Sequence, residues 1–302
     1  MQVRPLVLVL LACSCTVGQN NSPSPQPAAA TATISTPALS QDQIRELIRQ
    51  TAEKDMENDK RQRDYTYIQR EEEHRLDGKG QVKSTEVKTS EIMELYGEQV
   101  ERLIAKDDKP LSDKDAKKEE EKIQKVIEKR KNESPEDRKK REEKDEKERE
   151  QSRQFVREVA DAYNLRLVGI EALDGREAYV IDGDPRPGYQ PHLKEAKILP
   201  KFRFRAWIDK DESQWKKLDI RCIDTVSLGW FLARIHKGSH ILIEQTRVND
   251  EVWLPQHVAV KIDVRVALLK NFNVEDDLTY RDYKKFRTDT KIVPLGELQG
   301  QR

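Results

Sequence analysis

The sequence predicts an α+β fold: a strongly curved antiparallel β-sheet, an unclosed barrel of about ten strands, with a helical lid and a highly charged helical insertion. Three observations predict it. First, Val258, Val260, Ile262, Val264 and Val266 alternate with Ala259, Lys261, Asp263 and Arg265, which is the period of a strand with one wet face. These β-branched side chains fit a pleated surface and would be crowded at χ1 in a helix. Second, from Phe202 onward strand-like segments follow one another through short joints, Asp209-Lys210-Asp211-Glu212, His236-Lys237-Gly238-Ser239 and Asn249-Asp250. Short joints between consecutive strands make antiparallel neighbours. Third, Asp113 to Glu150 carries 15 Lys or Arg and 15 Asp or Glu, with Ile123, Val126 and Ile127 as its only large apolar residues. Such a stretch cannot build a core, but strong helix formers and many i, i+4 opposite-charge pairs favour helix.

Composition bounds what else the chain can be. Of 302 residues, 37% are charged and 6% aromatic, too little apolar material for a core throughout, so part of the chain is solvated. The 56 Lys and Arg balance the 56 Asp and Glu. No concentrated basic field is available to draw the protein to nucleic acid or to an anionic membrane. The cysteines are Cys13, Cys15 and Cys222, two of them inside an apparent export signal, so there is no disulfide framework. Lone Cys222, between Ile220 and Ile223, reads as a small buried apolar residue.

Residues 1–18 read as a signal peptide, with Arg4 ahead of the apolar run Leu6 to Ala12. That run is too short to span a bilayer and of the right kind for a signal, so no transmembrane helix is expected in the mature chain. Leu10-Leu11-Ala12-Cys13 also resembles a bacterial lipobox, in which Cys13 would be lipidated; ordinary cleavage near Gly18 fits as well, and both readings stay open. Either way the chain is exported, periplasmic or anchored to the outer membrane through Cys13. Residues 19–39, rich in Ser, Pro, Ala and Thr, read as a disordered tether.

Residues 40–106 hold a helix and the first strands. Ser40 with Gln43 forms a capping-box pattern ahead of Ile44, Leu47, Ile48 and Ala52. A strand opens at Tyr65-Thr66-Tyr67-Ile68, turns at Asp77-Gly78-Lys79-Gly80 and returns through Val82 to Tyr96; Glu98 to Lys106 pairs as a third strand. Residues 107–150 form the charged insertion, two helices broken near Asn132, with Ser134-Pro135 as a restart signal. Apolar a and d positions do not recur over three heptads, which favours solvated helices over a coiled coil. Residues 151–292 carry the lid helix and main sheet. Phe155, Val159 and Tyr163 recur four apart and should dock on the sheet. Asp174-Gly175 marks a hairpin between Leu165 to Leu173 and Ala178 to Ile181. The proline-rich stretch 183–191 reads as a loop, and Asp182 and Asp184 beside Gly183 as turn formers. Strands are expected near 202–209, 215–223, 225–236, 240–248, 251–268 and 272–286, followed by a tail, 293–302. The segment 225–236 is apolar on both parities, so both its faces need cover, and the helix 155–163 is the candidate.

Four short stretches carry a family resemblance: Ala206-Trp207-Ile208-Asp209 before a tight turn, Trp215-Lys216-Lys217-Leu218-Asp219, Val252-Trp253-Leu254-Pro255 and Tyr280-Arg281-Asp282-Tyr283. At these spacings the chain resembles the outer-membrane lipoprotein-sorting superfamily over about 165–292, and more loosely over 40–106. The resemblance implies an unclosed barrel wrapped over a helical lid, enclosing an apolar cavity for acyl chains. The insertion 107–150 departs from the family's common pattern.

Chemistry is thinly represented. The histidines are His74, His192, His236, His240 and His257; His236 and His240 flank a turn, with no third metal ligand marked. Gly-x-Ser-x-Gly, His-Glu-x-x-His and phosphate-binding glycine loops are absent from the sequence, and Asp209 reads as a turn former. The expectation is a non-enzymatic protein without cofactor or metal. Its partner would be a lipid or an acylated lipoprotein, held in the half-barrel by Phe204, Leu228, Trp230, Leu232, Val260, Ile262 and Val264. The alternative is a scaffold that binds an envelope protein through the charged helices.

Overall fold

The computed structural model describes residues 39–285 apart from 97, 229–232 and 267–269. Cys13, the signal, the tether and the tail therefore lie outside the described residues, as do Trp230 and Leu232.

Helix α1 (Gln41–Gln62) starts where the capping box places it: the Gln43 amide donates to the Ser40 hydroxyl and the Ser40 amide to the Gln43 side chain. It runs well past Ala52, the last residue of the apolar pattern, because its second half is anchored by polar rather than apolar contacts. Asp55 accepts from the Trp215 indole at 2.7 Å and from Gln214 at 3.1 Å. Asn58 both donates to the Trp253 carbonyl (2.7 Å) and accepts from its amide (2.8 Å).

Strands β1 (Tyr65–Leu76) and β2 (Val82–Leu95) form a hairpin whose turn is held by the Asp77 carboxylate, which accepts from the amides of Lys79 and Gln81. Strand β3 (Glu98–Lys106) and the two-residue β4 (Lys109–Pro110) follow. Helices α2 (Asp113–Lys131) and α3 (Pro135–Ala162) are capped by Ser112 and Ser134 and separated at Asn132, with proline in the first turn of α3. Then come β5 (Tyr163–Leu173) and β6 (Arg176–Pro185), joined by Asp174 (φ 50°) and Gly175 (φ 76°). Two successive left-handed residues are what a two-residue hairpin turn requires. A 3-10 segment, Glu195–Lys201, leads to β7 (Phe202–Asp209), β8 (Trp215–Cys222), β9 (Val226–Leu228), β10 (Ala233–Ile235), β11 (His240–Val248), β12 (Val252–Val266) and β13 (Lys270–Lys285).

All thirteen strands belong to one curved sheet in the order β4-β3-β2-β1-β13-β12-β11-β8-β7-β6-β5, with the short β9 and β10 pairing each other and β12 off this path. Neither β4 nor β5 closes on the other, so the barrel is open. The join between the first and last strands, β1 to β13, runs from Tyr65 opposite Lys285 to Leu76 opposite Asn273.

Three expectations need correction. The stretch 225–236 is not one strand: β9 and β10 fold against each other, Val226 opposite Ile235 and Leu228 opposite Ala233. A hairpin explains apolar residues on both parities without a second covering layer. Among the described residues, Cys222, Val226 and Ile235 pack with Ile198, Phe202 and Val264 rather than with the expected helix 155–163. The stretch 183–191 is not all loop, because β6 continues through Pro185 and pairs Asp184 with Asn164 on β5. Proline is tolerated there as the strand's last residue, where its missing N–H costs little. Asp182 and Asp184 accordingly are strand residues, Asp182 held by Arg205 (2.6 and 3.0 Å) and Arg166 (2.5 Å), and Asp184 within 3.4 Å of Arg203.

The main core lies between one face of the sheet and the helices. Ile44 and Ile48 of α1 and Ala160 and Ala162 of α3 pack with Tyr163, Leu165, Ile181, Ala206 and Ile208, with Phe155 and Val159 at the margin. Helix α2 sits elsewhere: its three large apolar residues, Ile123, Val126 and Ile127, all face Met93, Leu95 and Val100 of β2 and β3. Beyond that contact α2 and the first half of α3 are charged and largely solvated, Lys140 with Glu136 at 2.8 Å being a typical i, i+4 pair.

Candidate functional site: the inner face of the sheet

Residues that are Cα partners across neighbouring strands point to the same side of a sheet, so the register traces each face without ambiguity. Starting from Gly183 on β6, the face that carries the helices continues through Phe204 on β7, Ile220 on β8, Ile241 on β11 and Val260 on β12. It then reaches Asp276 on β13, Glu73 on β1 and Glu86 on β2. A neighbouring row reads Ile181, Ala206, Leu218, Ile243, Val258, Leu278, Glu71 and Lys88. A third holds Ile262, Val274 and Arg75, and a fourth Ile235, Val264 and Phe272. This is the inner face: apolar from β5 to β13, polar from β13 to β2.

Helices and the 3-10 segment cover only part of the apolar half. Phe204 sits under them, packed at the margin of the main core and edge-on to Tyr163 with ring centroids 4.9 Å apart. Its ring occupies the space a Cβ would need at Gly183, which is why glycine stands at that position in the strand. Val264 belongs to the cluster around Cys222 and Ile235. Between these two packed regions lie Ile220, Ile241, Ile243, Ile262, Val274 and Leu278, each half-buried, around the more deeply buried Val258 and Val260. This strip crosses β8, β11, β12 and β13 as a continuous apolar floor.

Two kinds of polar wall bound the strip. Toward one strand end are tyrosines: Tyr67 lies 5.8 Å from Tyr280 and 5.3 Å from Tyr283, and Tyr283 donates to the Pro255 carbonyl. Burial pushes the Tyr67 phenol up to about 12 and raises Tyr280 as well. Toward β1 and β2 are charges. Glu73 accepts from Arg75 at 2.7 Å, and Glu86 takes Lys88 at 3.2 Å and Lys106 at 3.0 Å. Asp276, next to Val260, is different: its Oδ1 is buried without a hydrogen-bond partner. Burial first, then the neighbouring Glu71 and Glu73, push its pKa up to about 7 against the opposing pull of Lys88. Glu71 is raised too, chiefly by burial.

Of the residues expected to line a cavity, Phe204, Val260, Ile262 and Val264 thus share the inner face, with Phe204 and Val260 in one row. Leu228 is in β9, but its side chain lies outside what is described, and Trp230 and Leu232 lie outside the described residues altogether. Sequence reasoning put Val258 on the same face of its strand as Val260 but missed Ile220, Ile241, Ile243, Val274, Leu278 and Asp276. Ile241 and Ile243 carried a usable signal in their spacing of two; Asp276 carried none, since a carboxylate in a polar strand reads as solvated until its cross-strand neighbours are known.

The remaining polar groups serve the fold. Asp209 is fully buried and accepts from Arg176 (2.6 and 2.8 Å) and from the amides of Asp211 and Glu212 at 3.0 Å, the turn-forming role expected of it. His240 meets Asp219 at 3.0 Å. On the outer face His257 bridges Glu244 (3.1 Å) and Asp277 (2.8 Å). Among the described residues no group of three His, Cys, Asp or Glu side chains is placed to hold a metal ion, and no helix is long and apolar enough to cross a membrane.

No family model and no curated protein matches the chain. Among solved structures it is similar to a putative outer membrane lipoprotein-sorting protein domain from Vibrio parahaemolyticus, at 12% identity over 81% of this chain and 95% of that one, TM-score 0.33. It is similar also to a DUF1329 family protein from Desulfovibrio piger (11% identity, 81% and 95% covered, TM-score 0.29) and to a LolA superfamily protein from Nitrosomonas europaea (8%, 84% and 96%, 0.27). The first and last of these belong to the group that the sequence resembles. What the inner face does is decided by its own residues.

Proposed function

We propose that the protein is an exported, non-enzymatic cell-envelope protein that binds a lipid or the acyl chains of a lipoprotein on the inner face of its sheet, in lipoprotein sorting or transport. One observation carries this reading. Phe204, Ile220, Ile241 and Val260 form an apolar row across four strands, broadened by Ile243, Val258, Ile262, Val274 and Leu278, while the helical cover engages mainly the β5 to β8 end. An apolar sheet face of this extent needs either a lid or a ligand to keep it from water. Affinity would come from apolar area removed from water, about 25 cal/mol per Å², less the cost of ordering the chain. The test is binding of a fluorescent fatty-acyl probe to the full chain. Ile262→Asp places a charge on the floor and should weaken binding by at least about thirtyfold, the equivalent of one buried aliphatic side chain. Unchanged binding in a folded variant overturns the proposal. Mass spectrometry of organic extracts from protein purified gently from its native envelope, with a heat-denatured control, would name the cargo.

A second reading, capture of an envelope protein through the charged helices, is favoured by a cleft of about 410 Å³ at the turn between α2 and α3. Arg63, Arg138 and Arg149 line it together with the paired Arg130, Arg141 and Glu133, the acids Glu142 and Asp145, and Tyr96, which is 50% exposed. Under this reading Arg138→Glu combined with Tyr96→Ala abolishes partner capture and leaves acyl-probe binding intact; retained capture excludes the cleft.

A further inference from the structure

The apolar floor does not end in solvent. Its longest row passes from Val260 straight to Asp276, and its neighbour from Leu278 to Glu71, so that two carboxylates stand as diagonal neighbours on β13 and β1 where the apolar strip stops. The other charges of that wall satisfy one another: Glu73 with Arg75, Glu86 with Lys88 and Lys106, Glu101 with the Ser90 hydroxyl. Asp276 is left over, its Oδ1 buried and without a partner. Glu71 feels the longer-range attraction of Lys88, which is already engaged by Glu86. A desolvated carboxylate with no donor is costly unless something supplies one.

Resting on the reading of the floor as an acyl-chain site, we propose that Asp276 and Glu71 form a head-group subsite for a cation, and that the natural ligand is an amphiphile carrying a primary ammonium group beside its apolar chain. The ammonium offers three donors on a compact charge and answers both the missing hydrogen bonds and the uncompensated negative charge. Val260 and Leu278, the cross-strand neighbours of the two acids, put the head group and the first methylenes of the chain side by side. Burial, then Glu71 and Glu73, already hold Asp276 in the range where it changes ionisation near neutral pH, and an ammonium at this position would return it to the charged form.

Three single-chain probes of equal length separate this inference from the reading beneath it: dodecylamine, dodecanol and dodecanoate. Each displaces the fluorescent acyl probe from the full-length protein at about pH 8, where the amine is protonated and Asp276 mostly ionised. The amine is expected to bind about tenfold or more tighter than the alcohol, and dodecanoate more weakly than the alcohol. In Asp276→Asn, which removes a buried charge and should not impair folding, the amine advantage falls to about twofold or less while alcohol binding is unchanged. Glu71→Gln loses part of it. Equal affinity of amine and alcohol for the wild-type protein, or an advantage that survives both substitutions, overturns the head-group subsite and leaves the apolar floor standing. Failure of all three probes to bind overturns the floor, and the subsite with it.

Discussion

Replacing Arg176 by methionine strips a buried carboxylate of the side chain that pairs with it. Asp209 is fully buried, and Arg176 meets both of its oxygens at 2.6 and 2.8 Å; the guanidinium, 30% exposed, also reaches Glu212 at 3.1 Å and lies 5.8 Å from the Trp253 ring centroid. Burial works against the Asp209 carboxylate, yet Arg176 and the amides of Glu212 and Asp211 hold its pKa below the usual value. A carboxylate held low contributes stability that is present above its unfolded pKa and lost as pH falls through the folded one. Breaking a buried pair from one side costs about 3–5 kcal/mol, and the partial exposure of Arg176 places this case at the low end, about 3 kcal/mol near pH 7. For a chain of this size that is a fall in Tm of about 6–12 °C. The cost should shrink as pH falls through the carboxylate range, where Asp209, deprived of Arg176 and still buried, takes up a proton in the variant. Urea denaturation followed by circular dichroism, repeated across pH, measures both quantities, with Arg176→Met/Asp209→Asn recovering much of the loss. A pH-independent effect below about 1 kcal/mol, no larger than that of an exposed pair, would refute the reasoning.

Gly183→Ala drives a methyl group into the Phe204 ring, which Tyr163 holds from its own side; destabilisation of about 1–3 kcal/mol is expected by thermal unfolding. Asn58→Ala takes from the Trp253 amide its side-chain acceptor and from the carbonyl one of two side-chain donors, Gln62 (2.9 Å) remaining, at the point where α1 meets β12. It should cost about 1–3 kcal/mol and raise amide exchange at Trp253. Asp55 has its pKa pushed up to about 6, mainly by burial, so the folded state loses stability as pH rises from the usual carboxylate range through 6; Asp55→Asn should remove that slope from a pH series of denaturation midpoints. Burial alone would lower the pKa of His257, but Asp277 and Glu244 raise it. Its contribution is therefore present below the unfolded pKa and fades as pH rises through the folded one, and His257→Gln should cost about 0.5–1 kcal/mol near pH 6 and little near pH 9.

The sequence by itself determined what depends on neighbours in the chain. The capping box at Ser40, the break at Asn132 with its restart at Ser134-Pro135, and the left-handed pair Asp174-Gly175 are local events, set by backbone hydrogen bonds a few residues apart. The alternation in β12 likewise states that one face is wet, because side chains in a strand point to opposite sides. Local pattern also misled where it was ambiguous: a two-sided apolar run at 225–236 describes a short hairpin as well as a buried strand, and proline at 185 marks the end of a strand as readily as a loop. Tertiary structure alone decided which strands are neighbours. The pairing of β1 with β13 joins residues about two hundred positions apart, and that join turns Asp276 from an ordinary polar strand residue into an unpartnered carboxylate at the edge of an apolar floor. Register has no local signature here, since a slip of one residue would exchange the two faces without altering any spacing along the chain; it is set by which face finds the helices to cover it.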